Sequence, residues 1–102
     1  VLEKRKHPRQ AVDLSATVSA EGVSQVIEGK IRDLSIGGMF FLCEEKAAFG
    51  TKVTVHIHFP KPSGTLALPA VVRWVGDDGF GLQFGLTGAR ETHAIAQVLR
   101  SR

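Results

Sequence analysis

RDLSIGGMFFLC, residues Arg32–Cys43, sets a polar turn between two strand-like runs. Before it, Ile27, Gly29 and Ile31 alternate with Glu28, Lys30 and Arg32, the period-two pattern of a half-buried strand. After it, Met39 to Cys43 is an unbroken apolar run and reads as a more deeply buried strand. Between them, Asp33 and Ser35 have short side chains that bond nearby backbone, and Gly37-Gly38 gives the chain freedom to turn. This predicts Asp33 and Ser35 at the lip of a sheet, two residues apart and pointing the same way on an extended chain. Gly38 then permits a sharp turn or the close approach of a ligand. The competing reading is a tight turn whose polar groups only satisfy its own backbone.

Working outward, the same period recurs. Val12, Leu14, Ala16 and Val18 alternate with Asp13, Ser15 and Thr17, and Glu21-Gly22 marks a turn. Glu44 to Thr51 is a connection containing Gly50. Val53, Val55, Ile57 and Phe59 then alternate with Thr54, His56 and His58, the cleanest strand of the chain. The run Pro60 to Gly64 ends it, and Thr65 to Val75 is a long apolar-rich strand in which Pro69 implies a bend or an edge. Asp77-Asp78-Gly79 is a hairpin signal leading to a last strand, Phe80 to Phe84. In the tail, Ile95, Val98 and Leu99 fall on one face of a short amphipathic helix.

Short strands separated by Gly and Pro turns avoid exposed edges by curling closed. The expectation is an all-β fold: a small antiparallel barrel of about six strands, with a flexible basic N-terminal arm and a short C-terminal α-helix. A chain of 102 residues makes one domain with one modest core, divided here into an arm over 1–11, a barrel over 12–86 and a helix over 88–101.

Charge separates the arm from the barrel. Lys4, Arg5, Lys6 and Arg9 stand against Glu3 in the first ten residues, which accounts for the whole net charge of +3. The remainder is balanced, so an anionic partner is expected for the arm and not for the whole surface. Pro8 argues against a helix through the arm. No apolar run approaches the ~20 residues of a membrane helix, and no signal peptide is recognisable. The chain opens on Val1, which leaves room for a longer parent protein. A single cysteine, Cys43, cannot form an internal disulfide, in keeping with a reducing, cytoplasmic setting.

Arg5-x-x-x-Arg9 followed by Asp33-x-Ser35-x-x-Gly38 resembles the PilZ domain, the bacterial receptor module for cyclic di-GMP. Both motifs match at every defining position. The late pattern Trp74 and Gly79-Phe80-Gly81-Leu82-Gln83-Phe84 is also similar to the family's, so the resemblance spans nearly the whole chain. It implies a six-stranded barrel with a C-terminal helix, and a cyclic di-GMP site formed by Arg5, Arg9, Asp33, Ser35 and Gly38. Lys4, Lys6, Gly37 and Trp74 are secondary candidates.

These residue types suit that ligand. Guanine shows O6 and N7 as paired acceptors, which the planar arginine fork meets together, for about 1–3 kcal/mol of discrimination. Arginine also stacks on purine faces. An ionised Asp33 accepts from the guanine N1–H and N2 amino group, and Ser35 donates to a phosphate or base acceptor. Ordering seven arm residues costs roughly 7–14 kcal/mol, so two arginine contacts need help from other groups.

Other residues are read more plainly. His56 and His58 share a strand face but no third metal ligand is evident, so they are taken as polar outer-face residues. Cys43 is read as core, His93 as exposed, and Trp74 as core first and ligand wall second. No nucleophile, base and orienting acid assemble from spacing, and no P-loop is present, so an enzyme is not expected. Three functions are weighed. The first is a cyclic di-GMP receptor whose arm closes over the ligand and signals to a downstream protein or neighbouring domain. The second is a ligand-independent adaptor of the same fold, which the intact motifs oppose. The third is a nucleic-acid-binding barrel, weakened by the neutral charge outside the arm.

Overall fold

The structure is a computed structural model that describes residues 10–20, 25–45, 47–59 and 64–100. Six strands and one helix follow in order: β1 (Gln10–Ala20), β2 (Val26–Leu34), β3 (Gly38–Leu42), β4 (Lys52–His58), β5 (Thr65–Val75), β6 (Gly79–Phe84) and α1 (Ala89–Arg100). The strands close into a barrel in the order β1-β2-β3-β6-β5-β4, with β4 returning to β1 and every pair antiparallel. The expected all-β barrel with a C-terminal helix is what the chain forms.

Alternation explains the core. Val12, Ala16 and Val18 of β1, Val53, Val55 and Ile57 of β4, and Leu66, Leu68, Ala70 and Val72 of β5 are all buried inside. At each position the neighbour in sequence points outward, which is the pleat at work. α1 buries Ala94 and Ile95 and leans Val98 and Leu99 on the same core, while His93 is exposed. Its start is held by Glu91, whose Oε1 accepts from the Gly88 amide at 3.0 Å.

One boundary and one edge position differ from expectation. The sequence reading puts Gln10 and Ala11 in the arm, but their backbone pairs with Leu34 and Asp33, so β1 starts at Gln10. Side-chain alternation carries no signal there because both residues are exposed. Pro69 sits on no sheet edge, since the barrel is closed. It pairs with Thr54 of β4, and on its other side β6 has already ended at Phe84. Its carbonyl accepts from Gly85 at 2.8 Å. The missing proline donor thus falls at the end of the β5–β6 ladder, one step past its last pair.

Three pairings carry register shifts: β1 with β2 between Ala11 and Leu14, β2 with β3 between Ile31 and Asp33, and β5 with β6 between Val72 and Trp74. The last two decide which side chains reach the outer wall.

Candidate functional site

Strict alternation through β2 would send Ile31 inward, Arg32 outward, Asp33 inward and Leu34 outward. In the structure Ile31 and Leu34 are both buried, and Arg32 and Asp33 lie side by side on the outer wall. The cause is a β-bulge. Ile31 faces Phe41 and Asp33 faces Phe40, so β2 uses one residue more than β3 across this step. Arg32 Nε donates to Asp33 Oδ2 at 3.1 Å. Its guanidinium carbon lies 4.0 Å from the centroid of the Phe40 ring.

The same device acts on β5. Val72 faces Leu82 and Trp74 faces Gly81, so Arg73 is the extra residue. The inward series Leu66, Leu68, Ala70 and Val72 would have put Trp74 inside. After the bulge it stands outside, 56% exposed. The reading of Trp74 as a core residue is therefore wrong, and the bulge is the reason. The extra Arg73 is itself exposed and donates from Nε to Gln83 Oε1 at 2.9 Å.

Register joins these residues in one row around the wall: Asp33 faces Phe40, Phe40 faces Gly81, and Gly81 faces Trp74. Phe40 and Trp74 meet with ring centroids 5.1 Å apart at 55°. Gly81 lies between them in the register. Phe40 is fully buried yet stays outside the barrel core, which takes its neighbours Met39 and Phe41 instead. The row ends on the β1 side at Ala11, which faces Asp33, so the chain leaves β1 towards its N-terminus beside that carboxylate.

Ser35 does not share the wall with Asp33. It is 4% exposed, and its hydroxyl accepts from the Gly37 and Gly38 amides at 3.1 and 3.2 Å and reaches the Gly38 carbonyl at 3.3 Å. The Ser35 amide donates to the same carbonyl at 2.8 Å. The expectation that Asp33 and Ser35 point the same way fails because the strand ends at Leu34 and the chain turns. For Ser35, the turn that satisfies its own backbone is the correct description. Gly37 is half-buried, and its carbonyl accepts from Phe84 at 2.9 Å. Gly38 is buried, and a Cβ there would overlap the carbonyl oxygen of Leu82, so it serves the close approach of β6.

Arg5, Arg9, Lys4 and Lys6 lie outside the described residues. His56 and His58 occupy β4, with His58 Nδ1 2.9 Å from Thr65 Oγ1. Among the described residues no three His, Cys, Asp or Glu side chains form a metal-ligating group. Cys43 is half-buried and packs against the core. Arg32 and Phe40 were missed as wall residues. Alternation alone turns both outward, Arg32 after Ile31 and Phe40 between Met39 and Phe41, but the bulge that sets Asp33 beside them is not visible in the sequence.

A comparison with family models matches the PilZ domain over residues 3–100. The chain belongs to the PilZ family. Solved structures agree in fold. The PilZ domain of YcgR from Escherichia coli with c-di-GMP superposes with a TM-score of 0.80 at 12% identity, covering 97% of this chain and 91% of that one. The Bacillus subtilis inhibitor of motility MotI/DgrA gives 0.79 at 19%, covering 98% and 51%. The K. pneumonia MrkH–c-di-GMP complex gives 0.79 at 14%, covering 99% and 52%. This PilZ chain thus spans about half the length of MotI/DgrA and MrkH. No curated protein matches it. Among the described residues, no helix of this PilZ domain is long and apolar enough to cross a membrane.

Proposed function

We propose that this PilZ domain is a receptor for cyclic di-GMP, working without catalysis in the bacterial cytoplasm. The observation that carries the reading is the bulge at Arg32-Asp33, which sets the Asp33 carboxylate on the outer wall in one row with Phe40 and Trp74. A carboxylate acceptor on a wall that also carries an exposed indole suits a guanine, since its N1–H and N2 amino group are donors and its faces stack. YcgR and MrkH are solved with c-di-GMP, and they share this fold.

Arg5 and Arg9 supply the cationic half of the site in this reading. β1 starts at Gln10 and its next residue faces Asp33, so Arg9 precedes in sequence a strand end that lies beside that carboxylate. Arg5, five residues before Gln10, has a tether of at most about 18 Å. Both can meet a ligand held on the row. Lys4 and Lys6 add attraction for the phosphates. Arm closure over the ligand then changes the surface offered to a downstream protein or neighbouring domain.

Calorimetric titration tests the reading, with cyclic di-GMP as ligand and GTP and single-stranded DNA as controls. Saturable binding of cyclic di-GMP alone is the expected result. Tighter binding of single-stranded DNA would replace the receptor reading with a nucleic-acid-binding barrel.

A further inference from the structure

The motif arginines sit on the N-terminal arm, but the wall carries an arginine of its own. Arg32 faces outward by strand alternation, the bulge sets Asp33 beside it, and it is held at two points. Its Nε donates to Asp33 Oδ2 at 3.1 Å, and its guanidinium carbon stands 4.0 Å above the centroid of Phe40. The side chain nevertheless remains 47% exposed. One side of the group covers a ring that is fully buried, so the exposed part is the side turned away from Phe40. A guanidinium fixed in this way presents a flat cationic surface to solvent, next to the carboxylate that would read a guanine edge. Its orientation is set before any ligand arrives, which lowers the entropy cost of using it.

We propose that Arg32 is a third arginine of the nucleotide site, carried by the barrel, whose outward face stacks a base of the ligand. The inference rests on the cyclic di-GMP reading above. It also addresses the arm's ordering cost, because a stacking contact on the rigid wall can hold the ligand before the arm engages. Stacking on a base face does not distinguish guanine from adenine. Selectivity between them stays with Asp33, and Arg32 contributes affinity.

The test uses the full 102-residue chain, titrated at one fixed salt concentration with cyclic di-GMP and cyclic di-AMP. Wild type, Arg32→Ala and Arg32→Lys are compared. Arg32→Ala is expected to weaken cyclic di-GMP binding about ten-fold while keeping the preference over cyclic di-AMP. Arg32→Lys is expected to weaken it several-fold, although lysine keeps the charge and can still reach Asp33. Wild-type affinity in Arg32→Lys would overturn stacking and leave only charge. Loss of the preference in Arg32→Ala would also overturn it, since Arg32 would then act by positioning Asp33. If Arg32→Ala does not fold, Arg32→Lys decides the matter. A wild-type chain that binds neither dinucleotide overturns the receptor reading itself, and this inference with it.

Discussion

Phe40 and Trp74 pack ring against ring across Gly81, with centroids 5.1 Å apart at 55°, on the outside of the barrel. Phe40 is fully buried there, while Trp74 stays more than half exposed. Trp74 is also the only tryptophan of the chain, so it reports directly on what happens at this row.

Intrinsic fluorescence should therefore change saturably as cyclic di-GMP is added. Trp74→Ala should weaken binding by about 5- to 150-fold, the scale of one base–aromatic stack. Its stability cost should be about 1 kcal/mol, the loss of a surface aromatic pair. Emission that stays constant through a calorimetrically proven titration would place the ligand elsewhere.

Asp33→Ala should abolish the preference for cyclic di-GMP over cyclic di-AMP, because the acceptor for the guanine N1–H and N2 amino group is gone. The domain should stay folded, losing about 1 kcal/mol or less with its ion pair to Arg32. Thermal unfolding of the unliganded variant checks this. A large drop in melting temperature would make Asp33 a structural residue of the bulge.

Ser35→Ala should destabilise the unliganded domain by about 1–3 kcal/mol. The hydroxyl accepts from two amides in a buried turn, and removal leaves both without that acceptor. Urea unfolding measures the loss. An unchanged midpoint would mean that water or the backbone takes over the bonds.

Gly38→Ala and Gly81→Ala should part company. A Cβ at Gly38 overlaps the Leu82 carbonyl oxygen, so β3 and β6 must move apart, and the cost should reach about 3 kcal/mol or more. At Gly81 the nearest atom would be Trp74 Cβ at 3.4 Å, an ordinary contact, and the variant should unfold close to wild type. Equal denaturation midpoints for the two would refute the argument.

Deleting residues 1–9 should abolish cyclic di-GMP binding while the barrel still folds, since among the described residues the core begins at Val12. Arg5→Lys and Arg9→Lys should each weaken binding, because the planar fork is lost and the charge kept. Hydrogen exchange across residues 4–10 should slow on adding ligand. Equal protection in both states would leave binding possible but remove arm closure as the switch.

Strands, helix and barrel class were legible in the chain because alternation is a local property: a half-buried strand writes its two faces into successive residues. Val53 to Phe59 and Leu66 to Val72 show it plainly, and their burial follows it residue by residue. The paired motifs Arg5-x-x-x-Arg9 and Asp33-x-Ser35-x-x-Gly38 pointed to the family for the same reason, being readable at fixed spacing. What the sequence could not show was on which side of the wall Asp33 and Trp74 stand. That depends on the extra residues Arg32 and Arg73, and a residue is extra only against the register of a partner strand. Those partners lie beyond the local window, in β3 and β6. Two such steps, defined only once the barrel closes, reverse the alternation and bring Asp33, Phe40 and Trp74 into one row.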